Sequence, residues 1–158
     1  MNKKFTKEDI IKKHETNVKS SNTAFSLAGI LGIIYIVRYF ITGNFEFHFS
    51  LSLPEMMLKL GHGETVSPSV AYAVTAVFFA FYILVTVLMI KNPKFIKLGL
   101  TFYSFDFLCL LFFMFVVLRQ FPDSFSNDLY IEVIIHVFVI LFLSMGVYSH
   151  EKLKKSNK

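Results

Sequence analysis

Between Glu64 and Lys91 the chain runs for 26 residues without a formal charge. A helix needs about 20 mostly apolar residues to cross a hydrocarbon core about 30 Å thick. Three further stretches meet that length, so four spans are expected, at residues 23–41, 67–90, 98–118 and 129–149. Together they occupy most of the 158 residues. A backbone in lipid must satisfy its own hydrogen bonds, so the spans are helices. The predicted class is an all-α integral membrane protein, one domain with four transmembrane helices in an up-down-up-down bundle.

Composition agrees. Hydrophobic residues make up 54% of the chain and the mean hydropathy is +0.57, too apolar for an ordinary soluble domain. There are 20 Phe and no Trp, so the seven Tyr are expected at the interfaces. Cys109 is the only cysteine, which excludes an intrachain disulfide. The net charge of +5 does not indicate nucleic acid, because the basic residues flank the spans. Lys- and Ile-rich usage suggests an AT-rich bacterial genome, so the expected location of the spans is a bacterial inner membrane.

Orientation follows from those basic residues. Six lysines lie in the tail at 1–22, three in the connection at 91–97 and four in the tail at 150–158. Only Arg38, Lys59 and Arg119 fall on the other side. Both termini are therefore expected in the cytoplasm, which an even number of spans permits. Pro93 and Pro122 interrupt the two short connections, 91–97 and 119–128. Those connections make the second, third and fourth spans successive neighbours.

Two segments outside the spans carry pattern. The N-terminal tail reads as a short amphipathic helix, with Thr6 and Asp9 at capping spacing and Phe5, Ile10, Ile11 and Val18 facing lipid. The segment 42–66 reads as an ordered external loop. Phe45, Phe47, Phe49, Leu51 and Leu53 alternate with polar residues, which predicts an extended strand-like stretch. Ser52 and Glu55 then have capping-box spacing, Pro54 suits a first turn, and Gly61 or Gly63 suits a C-cap. A short helix should follow, its Met56, Met57, Leu58 and Leu60 capping the bundle. His48 and His62 near Glu46, Glu55 and Glu64 lack metal-ligand spacing, so no metal is expected. Ala28 with Gly32, and Ala76 with Ala80, are small pairs that let helices approach closely.

Asp106 stands inside the third span, and Glu132 and His136 inside the fourth. Such residues usually face the bundle interior and often mark a site. Depth at ~1.5 Å per residue places Asp106 about 3 Å inward of the midplane. By the same measure His136 lies roughly 4–5 Å outward, Glu132 about 10 Å and Arg38 about 12 Å. This arithmetic splits the trio. It predicts a structural Arg38–Glu132 ion pair, leaves Asp106 to Tyr103 or Tyr82, and sets His136 level with Thr75. The candidate intramembrane polar site is therefore Asp106, His136, Glu132, Tyr103 and Tyr82.

No GxSxG, HExxH, CxxC or P-loop motif is present, so no catalytic residue and no cofactor are assigned. The paired cysteines of disulfide-forming membrane oxidoreductases and the paired aspartates of lipoprotein signal peptidases are missing. The four-span plan with a basic C-terminal tail resembles, in topology alone, immunity proteins against pore-forming bacteriocins. The expected function is a non-enzymatic accessory, binding or immunity-type protein acting through its external loop. Its partners would be the bilayer and a protein partner or second copy, with no nucleic acid. The alternative is a transporter or channel subunit, or a membrane enzyme, using Asp106, His136 and Glu132 in a polar cavity.

Overall fold

A computed structural model describes residues 7–42, 51–62, 65–120 and 127–156. Five α-helices account for nearly all of them: α1 (Lys7–Thr42), α2 (Ser52–His62), α3 (Pro68–Lys91), α4 (Ile96–Gln120) and α5 (Asn127–Ser156). A single 3-10 turn, Pro93–Phe95, joins α3 to α4. By length and composition α1, α3, α4 and α5 can each cross a membrane. The alternation expected at Phe45–Phe49, the tail residues Phe5 and Thr6, and Pro122 lie outside the described residues.

The long helices share one internal rule. Buried positions fall at 14, 17, 21, 25, 28, 29 and 32 on α1 and at 71, 75, 78, 82, 85 and 89 on α3. On α4 they fall at 96, 99, 103, 106 and 110, and on α5 at 132, 136, 139, 143, 146 and 149. Steps of three and four predominate, which is the seam of coiled-coil-like packing. Opposite faces carry exposed apolar residues such as Val77, Phe105, Phe112 and Leu141. Hydropathy therefore separates the two faces poorly. Polar residues mark the inner stripe instead: Asn17, Ser21, Thr75, Asp106, Glu132, His136 and Ser149 are all buried.

The N-terminal tail is not a separate interfacial helix. No Gly or Pro occurs between Lys7 and Ala28, so nothing ends the helix before the apolar span begins. The resulting 36-residue α1 is about 54 Å long and outreaches a bilayer core. Its polar stripe bonds to α5: His14 Nδ1 lies 3.3 Å from Ser149 Oγ, and Ser21 Oγ donates to the Phe142 carbonyl at 2.7 Å. Gly146 accommodates Ser21, since a Cβ there would collide with it. Ile11 is exposed, whereas Val18 packs against the core.

The core centres on Phe25, stacked on Tyr82 at 4.3 Å with nearly parallel rings. The Tyr82 hydroxyl donates to the Phe25 carbonyl. Gly29 permits this approach, because a Cβ would enter the Tyr82 ring. Of the small pairs, Ala28 and Gly32 are buried, but Gly32 receives the Leu51 side chain. Ala76 and Ala80 are both exposed and form no interhelical seam.

The loop helix forms where the sequence puts it, at Ser52–His62, but it does more than cover the end of the bundle. It packs against both α3 and α4. Its C-terminal Gly61 abuts Ala71 and Pro68, at the start of α3. Its N-terminal Ser52 reaches Asp106, which lies ~15 Å along α4 from Ile96. So α2, about 16 Å long, runs from midway along α4 to the start of α3. Ser52, Pro54, Glu55, Leu58 and Gly61 are buried. The helix therefore packs against α3 and α4 as a wedge.

Candidate functional site

A helix begins with four backbone N–H groups that have no intrahelical acceptor. When such an end is buried in an apolar bundle, each unpaired donor costs about 1–3 kcal/mol. The N-terminus of α2 is in this position. Pro54 removes one donor outright. The Asp106 carboxylate satisfies two more: Ser52 N–H donates to Oδ2 and Leu53 N–H to Oδ1, both at 2.9 Å. Asp106 is thus an N-cap delivered from another helix. Its charge also meets the positive end of the α2 dipole. This replaces the Ser52–Glu55 capping box expected from spacing. The Ser52 hydroxyl points elsewhere, and Glu55 is bound to Lys59 one turn on.

His136 and Glu132 complete the cluster from α5. The Ser52 hydroxyl donates to Glu132 Oε1 at 2.9 Å. His136 Nδ1 faces the Glu132 carbonyl oxygen at 2.9 Å, an acceptor only, so Nδ1 carries hydrogen. His136 Nε2 lies 3.1 Å from Asp106 Oδ2 and 3.3 Å from Ser52 Oγ. Two acceptors cannot face each other, so one proton lies between Asp106 and His136. Placed on Nε2 and shared with Ser52 Oγ, it satisfies all three groups. The imidazole packs against two aromatic rings of α4, with Tyr103 at 5.0 Å and Phe107 at 5.6 Å between centroids. Asp106 and His136 have no exposed surface, and Glu132 is 2% exposed.

The trio that depth arithmetic separated is therefore one cluster. Asp106 and His136 were set about 7 Å apart in level, yet their side chains touch. The arithmetic treated the helices as upright rods and ignored side-chain reach. Two further expectations change. His136 does not bond to Thr75, whose hydroxyl is buried without a hydrogen-bond partner. Tyr82 gives its hydroxyl to Phe25, while Tyr103 contributes a ring face to His136. Ser52 and Leu53 are the site residues that sequence reasoning missed. The available signal was a buried carboxylate in need of donors beside a loop helix whose third residue is proline.

The geometry is not that of a hydrolytic triad. There the nucleophile and the carboxylate take opposite ring nitrogens of the histidine. Here Ser52 and Asp106 share Nε2, and Nδ1 is held by the backbone of its own helix. Among the described residues, no three His, Cys, Asp or Glu side chains are grouped to hold a metal ion.

No family model, curated protein or solved structure matches this chain.

Proposed function

We propose that this chain is a multi-pass inner-membrane protein of non-enzymatic, accessory or binding type, working through the segment 42–66. In this reading the spans alternate in direction, both termini are cytoplasmic, and α2 presents its outer face on the opposite side. One observation supports it above others: both oxygens of Asp106 and the Nε2 of His136 are engaged in holding the start of α2, while His136 Nδ1 is fixed by its own helix. A cluster so engaged serves as an anchor for a binding helix. Met56 and Met57, two of the half-buried residues of α2, would make the contact.

Photocrosslinking from Met56 and Met57 in cells tests this. A discrete protein adduct, lost on Met57→Asp in a protein that still folds, is expected. Adducts to lipid alone would overturn the reading.

A second reading has its own support. Asp106, His136, Ser52 and Glu132 form an unbroken hydrogen-bonded chain with a proton already between the first two. Such a chain suits proton movement through an oligomer. It predicts that Asp106→Asn abolishes proton flux into proteoliposomes while a cysteine label at Met57→Cys remains as protected as in the parent. Loss of flux only together with loss of that protection favours the anchor.

A further inference from the structure

The ends of α4 and α5 enclose a second polar feature, remote from the Asp106 cluster. A cleft of about 170 Å³ opens between the 3-10 turn and the last turns of α5, lined by Pro93, Lys94, Lys97, Val147, His150, Glu151 and Lys154. Lys94, Lys97 and Lys154 make no ion pair within the described residues. Three lysines around one cleft repel each other, and Glu151 offsets only one of them. His150 adds a buried Nδ1 with no hydrogen-bond partner. The N-terminal end of α4 adds its partial positive charge at the same place.

We infer that this cleft binds the phosphate of an anionic phospholipid. Basic pockets between helices, at the level where spans leave the membrane, suit such headgroups. The surroundings favour a lipid over a free anion. Below Lys97 on the same face of α4 come Thr101, Phe105 and Leu108, all exposed. Phe105 and Leu108 are 54% and 62% exposed, and Val147 lines the cleft from α5. A phosphate held by the lysines would leave its acyl chains along this apolar track. A soluble anion would gain nothing from it.

Native mass spectrometry of the full chain, released from micelles containing phosphatidylglycerol or phosphatidylcholine, tests the site. Phosphatidylglycerol should be retained preferentially. Each lysine near a membrane surface contributes about fivefold, so Lys94→Gln/Lys97→Gln/Lys154→Gln should weaken binding by roughly a hundredfold. The Lys→Arg triple should retain binding, which separates lost charge from lost fold. Lys7→Gln/Lys12→Gln/Lys19→Gln removes the same charge from α1 and should leave retention nearly unchanged. Equal weakening by the two Gln triples would overturn the site in favour of general attraction. Displacement of the lipid by millimolar inorganic phosphate would overturn it in favour of a soluble-anion site.

Discussion

Asp106 concentrates the chemistry of the molecule in one carboxylate. It accepts two backbone N–H groups of α2 and faces His136, so each substitution has a distinct cost. Asp106→Asn keeps the shape but turns an amide toward one of those donors. A loss of about 1–3 kcal/mol is expected, read as unfolding in a denaturant titration of the micellar protein. Asp106→Ala should cost more, about 3–5 kcal/mol, because His136 keeps a buried proton without its partner. Ser52→Ala removes the hydroxyl that donates to Glu132 Oε1 and faces His136 Nε2, and should cost about 1–3 kcal/mol. The Arg38–Glu132 pair proposed from the sequence has its own check. A double-mutant cycle with Arg38→Gln and Glu132→Gln should return a coupling of at least about 0.5 kcal/mol, and additive effects would dismiss it.

At the scale of elements, α2 is held at both ends by different means. Asp106 holds its start; close packing holds its finish. A Cβ on Gly61 would stand 2.7 Å from the Ala71 Cβ, with the Pro68 Cα at 3.7 Å. The Ala71 Cβ is fixed directly to helix backbone, so little can yield. Gly61→Val should therefore lever the C-terminal half of α2 outward, at about 1–3 kcal/mol. Labelling at Leu58→Cys, a position 1% exposed in the parent, should rise sharply in that background. Unchanged labelling would mean that α2 is not wedged as described. Helix existence was legible here, since Pro54 marks the first turn of α2 and Gly61 and Gly63 mark its end in the sequence. Its burial was not, because Met56, Met57, Leu58 and Leu60 suit a membrane surface as well as a bundle interior.

At the scale of the whole molecule, the α1–α5 seam continues beyond the spans through polar contacts. There His14 is buried against Ser149, with its ring 5.4 Å from that of His150. Burial and the nearby His150 lower the His14 pKa below the usual 6.5, against a smaller opposing pull from Glu15. The unfolded chain then binds more protons than the folded one in the window below 6.5, so stability rises with pH through it. Stability should be full above pH 6.5 and fall as pH drops through the lowered pKa. Thermal melts between pH 5 and 7.5 check this, and His14→Gln should flatten the slope. Fusions of alkaline phosphatase and green fluorescent protein at Lys158 and within 42–66 check the orientation. Fluorescence at Lys158 with phosphatase activity in the loop is expected.

What the sequence by itself determined is the set of helices that can cross a membrane. Uncharged runs of span length admit no other structure in lipid. The spans at 67–90 and 98–118 match α3 and α4 within two residues at each end. The identity of the buried polar residues was also legible, because each ionisable group in an apolar run must find an inner face. Tertiary structure decided which of them meet. Faces that are apolar on every side do not reveal which helix turns toward which, and depth along an isolated helix does not include side-chain reach. Above all, the donors for Asp106 are backbone N–H groups, which every residue type but proline carries. Only the folded chain shows that the start of α2 brings two of them to that carboxylate.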